Sequence, residues 1–194
     1  MLFKRKHEFR PDKTESGTLN KLYITKKQRR TALKWLLMAL SLVAVCVVQD
    51  VILSRVKLWG TTMDLLAAAL LLTCILQDPE YGSIFILIAS SVYSFSGSAP
   101  GYYVIALITV IGVFFAIVRH CYLHTGFSST MLCTAAAILI YEMALFGIGL
   151  FFGYTTVSRV TLQLIKAGIS LAAMPILYPI FNAILKIGGE TWNE

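Results

Sequence analysis

The sequence predicts an all-α, polytopic membrane protein with six transmembrane helices. Three observations lead there. Of the 194 residues, 57% are hydrophobic and only 14% are charged, against about 25% charged in soluble domains. The apolar residues come in runs that approach the roughly 20 needed to cross about 30 Å of hydrocarbon. The net charge of +7 sits at one end: residues 1–30 hold ten lysines and arginines against Glu8, Asp12 and Glu15, which leaves the rest of the chain neutral.

The charged end comes first. Residues 1–32 read as a basic, largely disordered cytoplasmic tail. Each Lys or Arg near an anionic leaflet gains about 1 kcal/mol, so anionic lipids are the expected partner of this segment. A nucleic-acid binder would need an ordered basic face, and a basic tail is not one. The first apolar run begins after residue 34 with no small-residue cleavage site behind it, so it is expected to be an uncleaved anchor rather than a signal peptide.

Six spans follow, at about 33–53, 63–76, 81–95, 102–118, 129–152 and 160–187, within a membrane domain of residues 33–188 and before a short cytoplasmic end at 189–194. The second and third are short for a bilayer, which predicts tilting, local thinning or a break inside the protein. The basic tail and Lys34 place the N-terminus in the cytoplasm, and six crossings return the C-terminus there. The expected compartment is the bacterial cytoplasmic membrane. The loops are too short to hold a soluble catalytic domain. Ser96 to Gly101 has the Pro and Gly of a turn. Pro175 and Pro179 are expected to kink the last helix.

Ionisable groups at membrane depth are costly and mark candidate sites. Asp50 and Asp64 flank the gap between the first two spans, Glu142 lies near the middle of the fifth, and Lys166 lies about seven residues into the sixth. Antiparallel packing of the last two spans would bring Glu142 and Lys166 to similar depths, so Lys166 either pairs with Glu142, reaches Asp64, or snorkels outward beside a protonated Glu142. Asp64 near a helix start can cap it and complement its dipole.

Gly149 and Gly153 form a Gly-x-x-x-Gly pair, expected to let helices approach closely within the molecule, and Gly168 with Ala172 forms a weaker small-residue pair. His120, Cys121 and His124 lack a fourth ligand for zinc and read as an interfacial polar cluster. Cys46, Cys74 and Cys133 lie in apolar runs and suggest no disulfide framework. No phosphate loop, His-Glu-x-x-His or nucleophile elbow is present. The expectation is a protein that is not an enzyme and takes no cofactor.

In this order of elements the chain resembles the MreD family of bacterial rod-shape-determining membrane proteins, over about residues 33–188. The resemblance rests on short motifs: Gln49-Asp-Val-Ile-Leu-Ser54 at the end of the first helix, Asp64-Leu-Leu66 opening the second, the turn Asp78-Pro-Glu-Tyr-Gly82, the break from Ser96-Gly97 to Gly101, and a final helix with Pro175 and Pro179. Two positions depart from that family's usual pattern: Met63 stands where a proline precedes the aspartate, and Tyr93 stands where an aspartate precedes the Ser-Gly break. The resemblance implies that Gln49 and Asp64 are polar landmarks of the outer hairpin. It also implies a scaffold that works with the bitopic protein MreC to link wall-synthesis enzymes of the elongation complex to MreB filaments and to regulate peptidoglycan insertion.

That family is in turn similar in fold to the substrate-binding subunits of energy-coupling-factor vitamin transporters. Such a subunit is the alternative function. It would want a polar outer pocket and small residues along the first helix, and 36–46 has no Ala-x-x-x-Ala pattern.

Overall fold

The structure, a computed structural model, describes residues 26–56, 59–95, 99–123 and 126–187. The regular elements are all helices, with no strand among the described residues. The 189–194 segment and most of the basic tail lie outside the described residues. Helix α1 spans Lys26–Val48 and runs on into a π turn at Gln49–Leu53. It therefore starts inside the basic stretch, before the boundary at 33 expected from hydropathy. Long basic side chains extend a helix beyond its apolar run because they are good helix formers.

The remaining helices are α2 (Leu65–Leu76), α3 (Pro79–Phe95), α4 (Tyr103–Tyr122), α5 (Phe127–Phe151), α6 (Val160–Ala172) and α7 (Met174–Ile187). Pro79 sits at the first position of α3, where a missing N–H costs nothing. The last expected span is thus two helices, bent by 43° at Ala173. Pro175 lies just past the bend, and Pro179 is accommodated inside α7.

Among the described residues, three helices are long and apolar enough to cross a membrane: residues 28–53, α4 and α5. The bent α6–α7 pair makes a fourth if it counts as one span. Their outward faces are greasy: Leu36 is 62% exposed, Leu40 60% and Val110 67%. The polar side chains Gln49, Asp64, Glu142 and Ser170 are instead buried. Apolar residues outside and polar residues inside is the pattern expected of a bundle surrounded by lipid.

Helix α2 organises the interior. All twelve of its residues are buried, and it packs against α1, α3, α4, α5, α6 and α7. At 1.5 Å per residue it is about 18 Å long, too short to cross about 30 Å of hydrocarbon. A helix enclosed by other helices need not match the bilayer, because none of its side chains meets lipid. Its ends must still be satisfied within the protein. At the C-terminal end Arg119 of α4 donates from Nη1 to the Ile75 carbonyl at 2.5 Å. At the N-terminal end a larger polar cluster does the same work.

Candidate functional site: the buried polar cluster at the start of α2

The chain enters α2 from an extended stretch rather than from a helix, so its backbone groups need partners from elsewhere. Gln49 supplies two. Its side-chain nitrogen donates to the Met63 carbonyl at 2.7 Å, and its side-chain oxygen accepts from the Leu65 N–H at 2.9 Å. The π turn ends α1 in a wide loop, with the Ser54 N–H bonded to the Gln49 carbonyl at 2.9 Å, and Gln49 is only 5% exposed there.

Between those two contacts lies Asp64. Its own N–H donates to Ser170 Oγ of α6 at 3.1 Å. Its Oδ1 accepts from the Ala67 N–H at 3.1 Å, the third residue of the helix, which makes Asp64 the N-cap. Its Oδ2 accepts from the Tyr93 hydroxyl of α3 at 3.0 Å and lies 3.6 Å from Lys166 Nζ. The carboxylate also sits at the positive end of the α2 dipole.

Lys166 links this cap to α5. Its ammonium lies 3.0 Å from Glu142 Oε1 and 3.2 Å from Oε2. Gln163, one turn earlier on α6, contacts Glu142 Oε2 through its side-chain amide at 2.5 Å. Tyr141, the neighbour of Glu142, is fully buried beside Tyr93 and the two carboxylates. One constellation thus joins the end of α1, the start of α2, and α3, α5 and α6.

The alternatives left open by the sequence are therefore resolved by geometry: Lys166 contacts both Glu142 and Asp64, and Glu142 has an ammonium partner. Gln49, Asp64, Glu142 and Lys166 come together. Asp50 does not; it is exposed and accepts from the Cys46 thiol at 3.7 Å.

Gly149 and Gly153 do not join the site, nor do they make a helix-packing face. They end α5. The Tyr154 N–H bonds to the Gly149 carbonyl at 2.8 Å and the Gly153 N–H to the Leu150 carbonyl at 3.1 Å, with Gly153 at φ +74°. That is a Schellman cap, in which glycine supplies the left-handed residue. Gly168 also faces open space, since a Cβ there would meet nothing within 4 Å. No group of three His, Cys, Asp or Glu able to hold a metal occurs among the described residues, and His124 lies outside them.

Sequence reasoning missed Gln163, Ser170, Tyr93, Tyr141 and Arg119 as partners. One signal was available: Gln163, Lys166 and Ser170 are spaced three and four apart, which sets them on one face of a helix. Chemically the cluster is a network of hydrogen bonds and ion pairs that ties elements together. Compared with family models, curated proteins and solved structures, the chain matches none.

Proposed function

We propose that the chain is a non-enzymatic membrane scaffold of the bacterial cell-elongation machinery, acting with MreC in rod-shape determination and the regulation of peptidoglycan synthesis. It resides in the cytoplasmic membrane as a six-span bundle with both termini in the cytoplasm. In that arrangement α1, α4, α5 and the bent α6–α7 pair face lipid, α3 crosses as a short span, and α2 together with the extended stretch before it makes the remaining passage inside the protein.

The observation that carries this reading is that Gln49 and Asp64 hold the same stretch of backbone at the start of α2. The two polar residues on which the MreD resemblance rests form one unit that grips the backbone entering α2. Their role is architectural, as a scaffold requires. Tyr93 fits the same logic: where that family usually has an aspartate, this chain has a phenol that donates to Asp64. A second acid there would add a third carboxylate to a cluster with a single lysine.

The cavities also favour helix docking over capture of a polar solute. A cleft of about 340 Å³ between α1, α2 and α3 is lined by apolar side chains such as Leu42, Val47, Leu70 and Val92. Vitamin capture would instead use the polar groups at the start of α2, and these are already bonded to one another.

A pull-down from solubilised membranes with tagged protein, reading both proteins and bound small molecules, tests the proposal. Recovery of MreC and wall-synthesis enzymes is the expected result. Recovery of a pair of ATPases with a vitamin would overturn it in favour of an energy-coupling-factor substrate subunit.

A further inference from the structure

We propose that the Asp64–Glu142–Lys166 cluster is a binding site for one proton, with its occupancy set by the charge count of the whole cluster rather than by any single residue. The inference does not depend on the scaffold reading.

Two carboxylates here face one ammonium. Lys166 Nζ is 3.0 Å from Glu142 and 3.6 Å from Asp64, and no other cation pairs with either acid among the described residues. Asp64 is 6% exposed and Glu142 1%. The other groups facing the cluster carry no charge to balance the excess: Tyr93 from α3, Tyr141 from α5, Gln49 from the π turn, and Gln163 and Ser170 from α6. Lys186, the basic residue of α7, lies in the last turn of that helix and pairs with neither acid. The N-terminal dipole of α2 offsets only part of a charge. Full ionisation would leave one uncompensated negative charge at membrane depth, an expensive state. A proton taken from water by one carboxylate makes the cluster neutral.

Two geometric details point the same way. The contact between the Gln163 amide and Glu142 Oε2 is 2.5 Å. That is short for N–H···O, which falls at about 2.7–3.2 Å, and fits O–H···O, at about 2.5–3.0 Å. The oxygen and nitrogen of an amide are interchangeable in assignment. Turning the amide over lets Gln163 Oε1 accept a hydrogen bond from a Glu142 carboxyl O–H, in place of the amide's donation to Oε2 and at the loss of its 3.3 Å bond to the Glu142 carbonyl. The second detail is the Tyr141 hydroxyl, which is buried beside both acids and next to Tyr93, the phenol that donates to Asp64. The Lys166 side chain, 18% exposed, gives the cluster its contact with the surroundings.

The test is infrared spectroscopy of the full chain in vesicles at neutral pH, reading the C=O stretch of protonated carboxylic acids against the amide band. The wild type is expected to show one carboxyl. Asp64→Asn and Glu142→Gln should each abolish the band, since either leaves one acid paired with Lys166. Lys166→Met should double it. Asp78→Asn, near the other end of α2, should leave it unchanged. A wild type without the band overturns the proposal even if a variant fails to fold. A band that survives Asp64→Asn would assign the proton to the apolar surroundings of Glu142 alone, and an unchanged band in Lys166→Met would deny the charge count. Loss of the wild-type band on adding sodium chloride would assign the site to a metal cation, and the proton reading would fall.

Discussion

Gln49 holds the backbone on both sides of Asp64, donating to the Met63 carbonyl and accepting from the Leu65 N–H. This explains why a chain so poor in polar residues places a glutamine at the end of its first helix. The extended entry to α2 lies among packed helices, where water cannot supply the missing partners.

Gln49→Leu therefore orphans one buried acceptor and one buried donor. Each is expected to cost about 1–3 kcal/mol. Gln49→Glu keeps the acceptor for Leu65 but sets a carboxylate against the Met63 carbonyl, so it should destabilise as well. Thermal unfolding in detergent measures both. A Gln49→Leu protein as stable as wild type would remove Gln49 from any architectural role.

The three-way charge contact predicts an order among substitutions. Lys166→Met leaves two buried carboxyl groups without a cation, and breaking a buried pair in this way costs about 3–5 kcal/mol. Glu142→Gln leaves the Asp64–Lys166 pair intact and should cost less. Adding Glu142→Gln to Lys166→Met should recover part of the loss. A double variant no more stable than Lys166→Met would mean that the 3.0 Å approach of Lys166 to Glu142 contributes nothing to folding.

Helical class and the positions of the long apolar helices were legible in the sequence, because apolar runs and their polar punctuation record which segments avoid water. Asp64, Glu142 and Lys166 stood out for the same reason: charge among apolar residues is conspicuous. Their neighbours did not. Tyr93, Tyr141 and Ser170 are ordinary residues in membrane helices, and only the tertiary packing of α3, α5 and α6 gives their hydroxyls a common location. The Gly149–Gly153 spacing suited helix packing, yet the same spacing serves a C-terminal cap. The choice between them depends on where the helix ends, which hydropathy does not locate. Nor could composition reveal that α2 is enclosed, since a short apolar helix looks the same whether it meets lipid or protein.

Arg119, in the last turn of α4, reaches the Ile75 carbonyl with its guanidinium and complements the negative end of the α2 dipole. Arg119→Ala is expected to lose a charge-assisted hydrogen bond worth about 1.5–3 kcal/mol. Arg119→Lys should restore little, because a lysine lacks the planar guanidinium that reaches the carbonyl. Hydrogen exchange of the last turn of α2 reports the effect locally. Unchanged protection there in Arg119→Ala would show that the cap is dispensable.

The enclosure of α2 makes a final prediction about glycines. A Cβ on Gly82 of α3 would lie 2.9 Å from the Cys74 carbonyl oxygen, and one on Gly112 of α4 would strike Ile86 and approach Cys74 Sγ to 3.4 Å. Both glycines let a neighbouring helix press against α2. The obstacle at Gly82 is backbone, which cannot rotate away, whereas the obstacle at Gly112 is the tip of a flexible side chain. Gly82→Ala is accordingly expected to cost about 1–3 kcal/mol, as overpacking does, and more than Gly112→Ala. Gly153→Ala should cost about 1–2 kcal/mol for the left-handed backbone alone, with no effect on helix packing. Gly168→Ala fills open space on a helix and should stabilise by up to about 1 kcal/mol. Unfolding midpoints of the four variants decide the matter: if Gly168→Ala proves the most damaging and Gly82→Ala the least, close packing is centred on α6 rather than on α2.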